Sequence, residues 1–172
     1  WSYRRLRRNA LVLLLRRRRV EQTLRRLHDV LATTPLAGHY WLWGGALLGI
    51  IREGRLLSHD LVDIDFGYRV EQRAAFQAAI PHLIAAGFQL RYGWRSNAGV
   101  ITEHTFLKNQ VRFDFFEFQP QGDLLCYWLY ETESRVEAVG QIPQHGLQPI
   151  QFWRRQWLIP EQPEATLTAI YG

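Results

Sequence analysis

The chain has one lysine, one cysteine and no long apolar run among its 172 residues. A single cysteine, Cys126, excludes an internal disulfide framework and any zinc site built on several thiolates. The longest aliphatic run, residues 10–15, is six residues, against the ~20 a spanning helix needs. There is no internal repeat and no low-complexity linker, so repeat architectures are excluded. What is present is a globular composition: 47% hydrophobic, 13% aromatic and 22% charged residues. That excludes a disordered tail, a collagen-like repeat and a long coiled coil. The length suits one domain with a sizeable core.

The formal net charge of +5 hides two unlike regions. Residues 1–30 hold ten arginines against Glu21 and Asp29, a local charge of +8, while residues 31–172 carry −3. A basic segment on a mildly acidic body reads as a solvated helix face or as a contact with an anionic surface. The apolar stretch 10–15 does not read as a secretory signal, because four arginines follow it and no small-residue cleavage site does. The first residue is Trp1 and not Met, and upstream sequence is expected.

Val20, Leu24, Leu27 and Leu31 have helical spacing, which predicts a helix over 4–32 ended by Thr33-Thr34-Pro35. Residues 39–43 form an aromatic strand broken by Gly44-Gly45, with a helical turn over 46–51. Residues 62–68 alternate cleanly, with Val62, Ile64 and Phe66 on one face and Asp63 and Asp65 on the other. A helix over 71–86 is expected to turn Phe76, Ala79, Ile80, Leu83 and Ile84 inward, with a kink or restart at Pro81 and a cap at Gly87. Segments 88–94, 100–107, 111–118 and 124–130 are consecutive strands, expected as an antiparallel meander. Residues 140–163, with four prolines, are expected to be irregular, and 164–171 is a final helix after Pro163. The fold class is α+β.

The chemistry concentrates in three places. Asp63 and Asp65, two apart on a strand, project from one face and repel unless a cation compensates. An otherwise apolar strand that keeps both points to Mg²⁺ or Mn²⁺. Asp114 lies on another very hydrophobic strand, where an unpaired carboxylate is costly. Pairing that strand with 62–68 brings three carboxylates to one point, which suits phosphoryl or nucleotidyl chemistry, with one carboxylate able to take a proton from an attacking hydroxyl. A salt bridge of Asp114 with a nearby arginine such as Arg112 is the structural alternative. Gly44-Gly45 lets backbone N–H groups approach a phosphate unobstructed. His104 and Lys108 are candidate phosphate contacts, with a plain strand-edge role as the alternative, and His59 reads as a loop turn. Most tryptophans read as core; one or two, Trp43 among them, are candidates to stack on a base. Cys126 reads as an inert core thiol.

The order of these motifs resembles the nucleotidyltransferase fold of the DNA polymerase β superfamily, and within it the LicD/fukutin family. The carrying segments are WLWGGALLGIIR from Trp41 to Arg52, HDLVDIDFG from His59 to Gly67, VRFDFFEF from Val111 to Phe118, and LIPEQPEATLTAIYG from Leu158 to Gly172. The resemblance implies a mixed or antiparallel sheet flanked by helices, as a catalytic domain over 35–172 behind an arginine-rich helical arm over 1–34. It implies transfer of a phosphocholine or phospho-alditol type group from a CDP-linked donor to a hydroxyl of a cell-surface glycan or lipid-linked glycan, releasing CMP. Asp63, Asp65 and Asp114 would then hold the metal and act as catalytic residues, Asp114 being the candidate base. Gly44, Gly45 and Arg52 would bind donor phosphate, and Trp43, His104 and Lys108 would touch substrate. Where the family often has further acids just before D-I-D, this chain has Leu61 and Val62, so Asp60 is not counted as a ligand. Two other functions share parts of this pattern: transfer of NMP to a protein, RNA or small molecule, and a non-catalytic polyanion-binding module. Nucleic acid is not expected as a partner, because three acids repel phosphate. The arm, residues 4–19, is expected to touch an anionic membrane peripherally, and the location is expected to be cytoplasmic, at the inner face of the membrane.

Overall fold

A computed structural model describes residues 2–58, 60–97, 99–131 and 136–172, and the side chains of these except 2–10, 130, 131 and 136–138. The long helix α1 spans Ser2–Leu31. Strand β1 (Tyr40–Trp43) runs directly into helix α2 (Gly44–Glu53). Strand β2 (Asp63–Arg69) is followed by a short 3-10 turn and helix α3 (Arg73–Ala85). Strands β3 (Gln89–Arg95), β4 (Ile101–Lys108), β5 (Val111–Gln121), β6 (Leu124–Glu131) and β7 (Val136–Pro143) follow in succession. A hairpin of β8 (Leu147–Phe152) and β9 (Arg155–Pro160) leads to helix α4 (Pro163–Tyr171).

The chain is α+β, with a mixed sheet in the order β1-β2-β5-β4-β3. Strands β3 to β6 form the expected antiparallel meander, and β7 adds a fifth strand to it. The mixed character comes from β2, which lies parallel to β5. Strand β5 is long enough for two tasks: its first part pairs with β2 and β4, and Gln119–Gln121 pair with β6.

The two sheet faces are different in kind. On one, Ile64, Phe66, Tyr68, Phe113, Phe115 and Phe106 join Val20, Leu24, Leu27 and Leu31 of α1 and Phe76, Ala79 and Leu83 of α3 in the main core. On the other, Trp41, Trp43, Phe116, Phe118, Leu125, Tyr127 and Ile142 make a smaller aromatic cluster. Gly67 is required there, because a Cβ at that position would lie 2.3 Å from the Trp41 ring. Strand alternation sends successive residues to opposite faces, so Asp63, Asp65 and Asp114 share the second face with these rings.

The helix α1 is one continuous element, and its second half is stapled to the sheet domain. Asp29 accepts from Arg155 at 2.7 and 2.9 Å, and Asn109 Nδ2 donates to Thr23 Oγ1 at 3.0 Å. Three expectations need correction. Ile84 of α3 is 51% exposed and turns away from the core. Helix α3 continues through Pro81 with neither break nor restart. Residues 140–163 are not irregular: they hold the end of β7 and the β8–β9 hairpin. That hairpin turns on Trp153 and Arg154, both with positive φ (46° and 59°). The conformation suits a two-residue hairpin loop but lacks the Asn-Gly or Asp-Gly signature that announces one. Pro149 is tolerated because a two-stranded ribbon consists of edges.

Candidate active site

The parallel register of β2 and β5 builds the site rung by rung. Asp65 stands opposite Asp114, and Asp63 stands opposite Arg112. One carboxylate oxygen from each of Asp63, Asp65 and Asp114 lies within 4.8 Å of the others. The next strand adds a hydroxyl: Thr105, opposite Asp114 on β4, donates to its Oδ1 at 2.6 Å. The Arg112 guanidinium spans the remaining gap, with Nε 2.9 Å from Asp63 Oδ1 and 2.9 Å from Asp114 Oδ2, while its NH2 nitrogen also bonds Asp63 Oδ2.

One guanidinium cannot balance this much negative charge. Burial, and then the carboxylates of Asp63 and Asp114, hold the Asp65 carboxyl well above the usual carboxylate range. Burial pushes Asp114 up to about 6, against the lowering effect of the Thr105 hydrogen bond and Arg112. Glu103 on β4, two residues before Thr105 and on the same face, is pushed up to about 8 by burial and by Asp114. The donors around the gap are all carboxylate oxygens, which suits a hard divalent cation such as Mg²⁺ or Mn²⁺. Asp63, Asp65 and Asp114 are therefore a cluster able to hold a divalent ion.

Helix α2 enters the site by its N-terminus. Gly44 has φ +54°, and a Cβ there would meet Asp65 Oδ2 at 2.5 Å. A Cβ at Gly45 would meet Asp60 Oδ1 at 2.5 Å. The glycine pair is thus dictated by the packing of the first helical turn against two acids. Trp43, the N-cap residue, makes no side-chain capping bond to that turn. The partial positive charge of the helix end lies beside Asp60 and Asp65 and offsets part of their field. Asp60 is buried at this helix end, although the sequence leaves it outside the ligand set. Tyr171, near the end of α4, also feels Asp65 and Asp60, and its phenol is pushed up chiefly by burial.

Other expected contacts lie elsewhere. Arg52 sits eight residues along α2, ~12 Å from Gly44 at the helical rise, and donates to Glu53 at 3.1 Å. His104 is on the opposite sheet face from Thr105. Its ring packs tilted against Phe76 with ring centres 4.9 Å apart, and burial lowers it to about 4. Lys108 donates to the Ala86 carbonyl at 2.7 Å and lies over Phe88, about 10 Å down the strand from Thr105 at ~3.3 Å per residue. Trp43 is 3% exposed, edge-on to Phe118 and Tyr127, which leaves little ring face for a substrate. His59 lies outside the described residues. Conversely, Arg112 and Glu103 belong to the site and were not singled out as site residues by sequence. The available signal was their spacing, two residues before Asp114 and Thr105 on strands that alternate.

The family model for the LicD/FKTN/FKRP nucleotidyltransferase domain matches residues 38–162. That span includes every residue of the carboxylate cluster and leaves α1 outside. A comparison with curated proteins finds no match.

Proposed function

The chain belongs to the LicD/FKTN/FKRP family, and from that premise we propose that it transfers a phospho-substituent of phosphocholine or phospho-alditol type from a CDP-activated donor to a hydroxyl of a cell-surface glycan. Membership supports phosphotransferase-type modification of glycans with a nucleotide-activated donor in general. The observation that carries the finer reading is the Asp65–Asp114 rung with Asp63 beside it, at the N-terminus of α2.

In this reading Asp63, Asp65 and Asp114 would hold Mg²⁺ or Mn²⁺. When bound, such an ion would neutralise phosphate charge and help orient the phosphoryl group. The first-turn amides of α2, at Gly44 and Gly45, bind donor phosphate oxygens. The acceptor hydroxyl oxygen forms a bond to the phosphorus that carries the head group. The anhydride bond on the far side of that phosphorus breaks, and CMP leaves with the electron pair. Asp114 takes the hydroxyl proton. Thr105 and Arg112 fix its two oxygens in position. Arg52, Lys108 and His104 receive no role in the step, given where their side chains sit.

Titration calorimetry of CDP and CMP, with and without Mg²⁺, tests this on the wild type and on Asp63→Ala/Asp65→Ala. Cytidine-nucleotide binding that requires both the metal and the two aspartates is expected, with free CMP as the product of turnover. Binding indifferent to metal, no binding, or nucleotide left covalently on the acceptor overturns the reading. The last outcome assigns NMP transfer instead.

A further inference from the structure

We infer that residues 11–19 of α1, together with the loop after α2, form a docking surface for an anionic lipid bilayer. The inference rests on a part of the molecule that the transfer reaction does not use, and it stands independently of that reading.

The helix α1 is 30 residues long, which is ~45 Å at the helical rise. Its first buried side chain among the described ones is Val20. Ahead of that anchor, Leu11, Val12, Leu13, Leu14 and Leu15 are between 36% and 59% exposed. Five consecutive residues go fully round a helix of 3.6 residues per turn. They form an apolar collar and not a stripe, so no single groove on the domain can cover them. Arginines bracket the collar in sequence: Arg4, Arg5, Arg7 and Arg8 before it, and Arg16, Arg17, Arg18 and Arg19 after it.

The structure adds a second basic element. Arg17 lines a cleft of about 290 Å³ with Arg52, Arg55 and Glu53. Arg52 and Arg55 both pair with Glu53, at 3.1 and 3.0 Å, so the cleft has a net charge of +2. The end of α2 and the loop after it therefore continue the positive surface of α1 onto the domain itself.

A basic band, an apolar collar and a second basic band together fit the headgroup and acyl boundary of an anionic membrane. There the aliphatic side chains turned towards the bilayer enter the acyl region while the flanking arginines reach back to phosphate. The competing occupants fit less well. Among the described residues no helix is long and apolar enough to cross a membrane. A second copy packed along the collar would bring arginine bands together, and five residues fall short of the three to four heptads of a coiled coil. Nucleic acid would answer the arginines and leave five aliphatic side chains in water.

Co-sedimentation of the full chain tests the proposal. The vesicles are phosphatidylcholine alone, or equal parts phosphatidylcholine and phosphatidylglycerol. Binding to the anionic vesicles only, weakened by salt, is expected. Arg16→Gln/Arg17→Gln should weaken it about 30-fold, at roughly 1 kcal/mol per arginine near the surface. Leu13→Ser/Leu14→Ser should weaken it by about 10-fold or more without lowering Tm, because both side chains are exposed. Equal binding to both vesicles, absence of binding, or binding unaffected by either pair overturns the proposal. A lipid-free dimer abolished by Leu13→Ser/Leu14→Ser assigns the collar to a second copy and overturns it as well. So does binding of a duplex oligonucleotide without any binding of vesicles.

Discussion

Asp114 and Glu117 lie three residues apart on β5, face opposite ways, and are 3% and 0% exposed. Glu117 has a complete answer to its charge. Arg73 grips it with two nitrogens, at 2.7 and 2.6 Å, and Gln119 donates at 3.1 Å. Asp114 shares one guanidinium with Asp63, while Asp65 and Glu103 press on the same space. Burial of an acid therefore does not by itself mark a site. What separates the faces is how the charge is answered: Glu117 is half of a finished ion pair that ties α3 to the sheet, and Asp114 belongs to a group of acids that share the single guanidinium of Arg112.

The sharpest way to break this comparison is to remove one charge from each face. Asp65→Asn should lower the transfer rate on the order of 10³-fold, since a metal's charge stabilisation is worth several kcal/mol. The same change should leave Tm unchanged or raise it at neutral pH, because it deletes a carboxylate that burial and two neighbours disfavour. Turnover and thermal melts on one preparation check both. A fall in Tm parallel to the loss of activity would make Asp65 a structural residue and erase the difference between the faces.

The opposite pattern is expected from Arg73→Met. It strands Glu117 as a buried, uncompensated charge, at a cost of about 3 kcal/mol. Activity per folded molecule should stay close to wild type, because neither residue touches the carboxylate cluster. Urea melts alongside metal-dependent turnover measure it. A stability change under about 0.5 kcal/mol would mean that the pair behaves as a surface salt bridge.

How far the sequence reveals these faces follows from what each feature depends on. Alternation in 62–68 depends only on neighbours along the chain, so the inward Ile64 and Phe66 and the paired Asp63 and Asp65 are legible. The parallel pairing that brings Asp114 to Asp65 is legible only as a geometric requirement of the three acids. Arg112 is legible only as a neighbour of Asp114 on one alternating strand, and Glu103 only by its spacing from Thr105, whose place beside Asp114 arises from lateral register between strands. His104 shows how narrow the margin is: one position away from Glu103, it lands on the other face. Arg52 fails for a different reason. Helix α2 begins at Gly44 itself, and ten residues of continuous helix carry the arginine away from the acids. The β8–β9 hairpin escapes notice because its left-handed turn is built from Trp153 and Arg154.

The smallest expected effect is also the finest probe, because the two faces should titrate in opposite directions. Glu103 rises from 4.5 to about 8 on folding. The folded state keeps a proton that the unfolded chain releases, so this contribution to stability is whole below about 4.5 and is lost as the pH rises to about 8. His104 falls from 6.5 to about 4, so its neutral ring contributes stability above about 6.5 that is lost as the pH drops towards 4. Between those limits the two slopes oppose each other and partly cancel. Above about 6.5 only the acidic face remains in play, and Tm measured in chelator should decline from there to pH about 8. Glu103→Gln should flatten that limb, and added Mg²⁺ should raise its alkaline end. His104→Asn should flatten only the acid limb. An alkaline limb that persists unchanged in Glu103→Gln would move its origin to Asp65, the other acid whose proton affinity burial raises most strongly.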